Sequence, residues 1–302
     1  MNTTDVNRAL SAPVLFGRVI CGDNVAVLSG FPDECIDLVV TSPPYDDLRT
    51  YGGHSWNFET LAAQLVRVLK PGGVIVWVVA DATVNGSETL TSMRQAIHFK
   101  DVCGLNVHDT MIYKKMGSNP NTHHPRYGHC WEYMLVLSKG TPKAFNAVKT
   151  RPNLTVGVIR KPTTKTQRNG DCRKFNVETK ETPESSVECN IWEYPVGSLK
   201  SRIEQHGGNH PAIFPERLAK DHVASWSNPG DVVLDPFAGS GTTLKAAKDL
   251  ERLWAGIEIN PEYVKIAERR LSQDVLQLET CAMRPNKALS EVCKVSPDQS
   301  SL

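Results

Sequence analysis

Two stretches of the chain carry residue types and spacings that could do chemistry on a bound ligand. The first is Val232 to Thr243, VVLDPFAGSGTT, where an apolar run ends in an acidic residue and a loop of small residues. The pattern predicts a buried parallel strand (Val232, Val233, Leu234) that emerges at Asp235, turns through Gly239, Ser240 and Gly241, and enters a helix near Thr242. Glycines let a backbone approach a ligand closely, and the exposed amides that open a helix suit an anionic group, so this is the build of a nucleotide-type cofactor site. No Lys follows the last Gly, which excludes a phosphate-cradling P-loop, and the loop is not a full G-x-G-x-x-G fingerprint. A second apolar strand, Leu253 to Ile259, carries Glu258 near its end. A carboxylate at the tip of the next parallel strand is placed to hold a pair of ribose hydroxyls. The plainer alternatives are a tight strand-to-helix connection and a surface Glu.

The second stretch is Thr41-Ser42-Pro43-Pro44-Tyr45, which follows the short apolar run Ile36 to Val40. Two prolines cannot donate to a ladder and must end the strand. They also leave carbonyl oxygens as unpaired acceptors, with a hydroxyl (Ser42) and an aromatic face (Tyr45) beside them. Acceptors next to a stacking surface suit a planar ligand that bears an amino group. The competing reading is a surface loop with Tyr45 used in packing.

The elements that must position these stretches read as an α/β chain. Val14 to Cys21 predicts a strand ending at Gly22-Asp23, with a short helix or turn from Asn24 to Leu28. Leu61, Leu65, Val66 and Leu69 recur at helical spacing over Asn57 to Leu69, and Lys70-Pro71-Gly72-Gly73 stops that helix. Val74 to Ala80 is a nearly continuous apolar strand, as expected when helices cover both faces of a sheet. Thr89 to Lys100 predicts a helix, and Asn106 to Lys114 and Glu132 to Leu137 two more strands joined by a polar segment. A helix through Trp226 with Leu218, Val223 and Trp226 inward leads into the Val232 strand, and a last helix runs from Pro261 to about Leu271.

Lys and Arg number 34 against 33 Asp and Glu, so whole-chain charge points to no polyanionic partner. The local balance differs: from Thr141 to Lys180 ten Lys or Arg face only Asp171 and Glu178. Lys143, Lys149, Arg151, Arg160, Lys161, Lys165, Arg168, Arg173 and Lys174 lie where prolines interrupt any periodicity, which reads as an insertion carrying a nucleic-acid surface or simply a solvated face. None of the eight cysteines forms a C-x-x-C pair, and with no signal peptide or long apolar span they predict reduced thiols in a cytoplasmic protein with no membrane partner. His206 and His210 are separated by Gly207-Gly208, which disfavours the helix a metal pair needs, so no metal is expected.

Taken together, Asp235-Pro236-Phe237-Ala238-Gly239-Ser240-Gly241-Thr242-Thr243 and the upstream Ser42-Pro43-Pro44-Tyr45 closely resemble the amino-group DNA methyltransferases that act on cytosine N4 or adenine N6. The order resembles their permuted branch, with the catalytic tetrapeptide first, target recognition next and the cofactor loop last. Gly22-Asp23, Leu69 to Gly73, His210-Pro211-Ala212 and Phe214-Pro215 add to the likeness, which spans about residues 15 to 275 apart from the basic insertion. The resemblance implies a seven-stranded, mostly parallel, circularly permuted Rossmann-like methyltransferase sheet with helices on both faces. It divides the chain into a catalytic half (14–140), a target-recognition insertion (141–201), a cofactor-binding half (202–279) and a tail (280–302). S-adenosylmethionine is the implied cofactor: Asp235 and the loop Phe237, Ala238, Gly239, Ser240, Gly241 and Thr242 would line its methionine part, Glu258 would hold the ribose, Asp23 would sit near the adenine, and Pro211 would add a wall.

An exocyclic amine on an aromatic base is a poor nucleophile because its lone pair is delocalised into the ring. Acceptors on its hydrogens, Ser42 Oγ and the Pro43 carbonyl, would localise that pair, with Tyr45 stacked on a base flipped out of double-stranded DNA. Lys143, Arg151, Arg160, Lys161, Lys165, Arg168, Arg173 and Lys174 are the expected DNA contacts. In the family resembled, Ser at the first tetrapeptide position is commoner in cytosine-N4 enzymes, so N4 is expected and adenine N6 is the alternative. A DNA-binding module of the same fold without catalysis is the non-enzyme alternative. The resemblance implies a restriction-modification or phage setting and a cognate restriction endonuclease acting separately, while oligomeric state and recognition sequence stay open.

Overall fold

The computed structural model describes residues 15–44, 56–116, 127–160, 163–166, 172–175, 180–195 and 215–272. Its centre is an eight-stranded sheet built from β1 (Arg18–Cys21), β2 (Ile36–Thr41), β3 (Leu69–Val79), β4 (Asn106–Met116), β5 (Trp131–Ser138), β6 (Ile191–Pro195), β7 (Val232–Asp235) and β8 (Leu253–Glu258). The strands lie in the order β1-β8-β7-β2-β3-β5-β4-β6, and all are parallel except β5, which runs against both its neighbours. Among the described residues six helices accompany them: α1 (Asn24–Ser29), α2 (Phe58–Val68), α3 (Thr91–Asp101), α4 (Glu216–Trp226), α5 (Thr242–Asp249) and α6 (Pro261–Ser272).

Period-two alternation along β3 explains the layering. Ile75, Trp77 and Val79 pack in one core with Leu28, Leu61, Leu65 and Phe99 from α1, α2 and α3. Val76 and Val78 face the other core with Leu218, Val223 and Trp226 of α4 and Ala246 and Ala247 of α5. Because both faces are covered, every residue of β2 is buried, including Asp37 and Thr41. A buried carboxylate must be compensated, and Asp37 accepts from Lys70 Nζ at 2.6 Å and from the Val232 amide at 2.9 Å.

Local sequence accounts for the helix starts. Asp23 and Asn57 cap α1 and α2 through the amides of Ala26 and Thr60, each at 2.9 Å. At α3 the residue before the helix is Leu90, in the left-handed region at φ 55°, and it offers no cap. Asp81 supplies one from a distance, accepting from the Ser92 amide at 2.8 Å and its hydroxyl at 2.6 Å. Helix α2 ends where Lys70-Pro71-Gly72-Gly73 predicts. The strand starts earlier than expected, because Leu69 already pairs with Ile36 and the next four residues bulge out before Val74 pairs with Leu38. Gly72 is required there: its φ is +78°, and a Cβ would lie 3.1 Å from that of Lys143.

Two expectations need correction. The sheet has eight strands instead of seven, and the extra one, β6, comes from within the segment 141–201 read as a separate insertion. Trp192 and Tyr194 alternate inward along Ile191–Pro195 and join the second core, a pattern too short to read as a strand beforehand. Among its other described residues the insertion has three short antiparallel strand pairs, nested in sequence like the arms of a ribbon, in which Arg151 pairs with Ser186, Arg160 with Lys180, and Lys165 with Arg173.

Candidate active site and cofactor pocket

The carboxyl ends of β2 and β7 lie side by side at the point where the chain winds away in opposite directions, through α2 to β3 on one side and through α5 to β8 on the other. Ligands of open α/β sheets bind at such a switch point. Two sequence-distant stretches therefore meet. Thr41 Oγ1, immediately before Ser42, donates to Asp235 Oδ1 at 2.7 Å, and the same oxygen accepts from the Phe237 amide at 3.0 Å. Thr243 Oγ1 donates to the Val40 carbonyl at 3.2 Å. Burial pushes the Asp235 carboxyl up to about 6; the Thr41 hydroxyl and the Phe237 amide, which donate to it, act against that rise, and the nearby Glu258 charge adds to it.

The loop after Asp235 is held by its own backbone and by β8. The Ala238 amide donates to the Ile257 carbonyl at 2.9 Å and the Gly241 amide to that of Ala238 at 2.7 Å. Gly239 and Gly241 have φ of +49° and +77°, and a Cβ on Gly241 would lie 3.1 Å from Ala267 Cβ, so the turn and its close approach to α6 both need glycine. Glu258 accepts from the Gly239 amide at 2.8 Å through one carboxylate oxygen and from the Asn260 amide at 2.9 Å through the other. A carboxylate has about four lone-pair sites, so Glu258 can tie down the loop and still receive two hydroxyls.

Ser240 and Thr242 are buried, and Arg270 of α6 donates to Thr242 Oγ1 at 2.9 Å while pairing with Glu216 at 3.2 Å. No side chain caps α5, whose N-cap is Gly241, and the helix start thus suits an anionic group of a ligand. Asp23 stands exposed just past β1, whose Cys21 is in register with Glu258. Asn24, buried behind it, reaches the Pro236 carbonyl from its side-chain amide at 3.4 Å. Asp23, Asp235, Phe237, Ala238, Gly239, Ser240, Gly241, Thr242 and Glu258 are thus gathered at three neighbouring strand tips. Pro211 lies outside the described residues.

Ser42, Pro43 and Pro44 leave the end of β2 beside this pocket, with Pro43 buried and Ser42 and Pro44 half-buried; Tyr45 lies outside the described residues. Trp56 was not among the sequence candidates. Its ring meets Phe237 edge-on at 5.1 Å and Trp77 at 6.2 Å, which makes it the wall of the loop on the α2 side. The signal that could have found it is the Trp56-x-Phe58 pair ahead of α2: two aromatics flanking a cap residue are more than a helix start needs.

The basic candidates do not all share a location. Lys143 is at the opposite end of the sheet, ion-paired to Asp37 at 3.7 Å and Asp231 at 3.6 Å, so it serves the start of β2 and the turn before β7. Arg151 is exposed at the root of the ribbon. Arg160, Lys165, Arg173 and Lys174 lie farther along it, and Lys161 and Arg168 lie outside the described residues. The root itself is anchored at the amino ends of the strands: the Glu188 amide donates to the Val148 carbonyl at 2.8 Å, and Asn146 binds the last turn of α4.

Comparison with known proteins decides the family. The DNA methylase family model for N6 and N4 enzymes matches residues 36–269. This chain belongs to that family. It is 48% identical over 251 residues, 81% of this chain and 91% of the relative, to the orphan methyltransferase M.BamHII of Bacillus amyloliquefaciens. It is 31% identical to the DNA adenine methyltransferase YhdJ of Escherichia coli, covering 86% of this chain and 85% of that one. Among solved structures, the fold is shared with the cytosine-N4-specific PvuII DNA methyltransferase at a TM-score of 0.61 and 22% identity, over 86% of this chain and 91% of that one. A DNA modification methylase of Thermus thermophilus, solved in complex with S-adenosylmethionine, aligns at 0.53 with 27% identity, over 84% of this chain and 94% of that one. The chain is therefore an amino-group DNA methyltransferase, of a family that takes its methyl group from S-adenosylmethionine. Among the described residues no helix is long and apolar enough to cross a membrane, and no cluster of His, Cys, Asp or Glu could hold a metal ion.

Proposed function

We propose that this protein methylates the exocyclic N4 amine of cytosine in double-stranded DNA. The observation that carries the reading is the Thr41 to Asp235 hydrogen bond, which sets the catalytic strand end against the cofactor strand end. When bound, S-adenosylmethionine supplies an activated methyl group on a positively charged sulfur. Glu258 would receive its ribose hydroxyls, and the uncapped start of α5 with Gly239 and Gly241 would accommodate the methionine end. Ser42 Oγ and the Pro43 carbonyl accept hydrogen bonds from the two amine hydrogens and so localise the nitrogen lone pair. Tyr45 stacks on the extruded base. The amine gains the methyl as the bond from that methyl to the cofactor sulfur breaks, and the proton it then sheds passes to solvent, because a neutral Ser42 hydroxyl accepts a hydrogen bond and does not itself take up the proton.

The ribbon is the proposed target-recognition element. A two-stranded ribbon fits the major groove of B-form DNA, and Lys165 paired with Arg173 puts two cations at one level of it. The setting we propose is a modification methylase of the restriction-modification kind, with any nuclease acting separately.

Ser42 favours cytosine N4. The 31% identity to an enzyme named for adenine favours adenine N6 by the same site. Mass spectrometry of nucleosides from duplex DNA treated with the protein separates the two: N4-methylcytosine is the expected product, N6-methyladenine would transfer the reading to adenine, and methyl found only in RNA or protein would overturn it.

A further inference from the structure

The β2 to β7 ladder ends before the active site does. Its register pairs are Val233 with Leu38 and Leu234 with Val39, and no pair continues it at Val40 or Thr41. On the other side, the β2 to β3 ladder continues through Val40 with Val76 and Thr41 with Trp77. The last two residues of β2 are thus held to β3 by backbone hydrogen bonds, while toward the cofactor strand they are held by side chains. Thr41 Oγ1 reaches across to Asp235, and Thr243 Oγ1 reaches back from α5 to the Val40 carbonyl. Thr41 is 1% exposed and Thr243 2%. Valine would fill either site with the same shape and no polar cost, so a buried hydroxyl here is retained against its desolvation penalty only by the bond it makes.

We propose that Thr41 is a positioning residue for methyl transfer. Its bond to Asp235, seconded by Thr243 to Val40, sets the distance between the catalytic tetrapeptide and the cofactor loop where the sheet no longer does. This rests on the methyltransferase reading above. The next residue along β2 is Ser42, so a small swing of the strand end is carried directly to the acceptor. A displacement of about 1 Å at a reacting centre is enough to cost on the order of a hundredfold in rate. The cofactor loop keeps its other anchors, Ile257 and Glu258, whether or not Thr41 has a hydroxyl.

The test compares the full-length protein with Thr41→Val, Thr41→Ser and Thr243→Val, measuring methyl transfer to duplex DNA at saturating cofactor and cofactor affinity by calorimetry. Thr41→Val is expected to lower kcat between about tenfold and a hundredfold. Its cofactor Kd should stay within about threefold, and Thr41→Ser should stay within about threefold of wild type in both, because it keeps the donor. Thr243→Val should lower kcat in the same direction, and it carries the test if Thr41→Val does not fold. Wild-type turnover in Thr41→Val, equal impairment of the Ser and Val variants, or a loss of cofactor affinity that matches the loss of turnover would each overturn the positioning role. Wild-type protein that binds cofactor and transfers no methyl to DNA would instead remove the functional reading on which the proposal stands.

Discussion

Replacing Asp235 with Asn should stabilise the protein at neutral pH, and by an amount that depends on pH. The carboxyl is buried, and burial raises it from 3.8 to about 6. A shift of about two units at 1.36 kcal/mol per unit is a cost of about 3 kcal/mol for keeping the group ionised in the fold. The sign follows from proton binding. Between 3.8 and about 6 the folded state holds the proton more often than the unfolded chain, so stability from this group falls as pH rises through that window and the whole cost stands above it. Asparagine keeps the Oδ1 acceptor that serves Thr41 and the Phe237 amide, and it carries no charge. Asp235→Asn should therefore gain up to about 3 kcal/mol near pH 7.5 and roughly half of that near pH 5, read from urea unfolding of both proteins at each pH. The larger gain at the higher pH is the diagnostic, because any imperfect fit of the amide is common to both. An advantage that does not change with pH, or a variant less stable than wild type at the higher pH, would refute the reasoning.

His222 should show the opposite slope. It is fully buried, with one ring nitrogen against Met134 Sδ at 3.1 Å and the other without a partner, and burial pushes the imidazole down to about 3. Stability from the neutral ring is complete above the ordinary value of 6.5 and is lost as pH falls, so His222→Leu should exceed wild type by about 2 kcal/mol near pH 5 and differ little near pH 7.5, measured by the same unfolding. Gly256→Ala should lower Tm by several degrees, since its Cβ would stand 2.3 Å from Leu244 Cδ1 and 3.1 Å from Ala238 Cβ, and overpacking costs about 1–3 kcal/mol. Ser42→Ala should lower turnover about tenfold or more while cofactor binding persists. Gly239→Val, which forces a β-branched residue to φ +49°, should abolish cofactor binding in calorimetry.

Much of the sheet could be read in advance because its strands are buried on both sides. IDLVV, VIVWVVA and VVLD are apolar runs with little alternation, and their ends fall within a residue or two of those read from the sequence, except that the VIVWVVA strand begins at Leu69, five residues before Val74. Ile191–Pro195 was missed for the reverse reason: five residues with two inward aromatics, set among prolines and basic residues, carry too little period to stand out. Lys143 was grouped with the basic insertion because charge density along the chain is blind to direction, and its two acidic partners are Asp37 and Asp231, far away in sequence.

Residue order alone pointed to the family and to the two stretches around Ser42 and Gly239, since these rest on local constraints: glycine where φ is positive, proline where a ladder must stop, and a carboxylate at a strand tip. Tertiary structure alone decided what touches what across the switch point. Thr41 meets Asp235 across 194 residues of chain, Trp56 backs Phe237, and Arg270 holds Thr242. Contacts of that separation depend on strand order and register, which the whole core sets together and no short window of sequence contains.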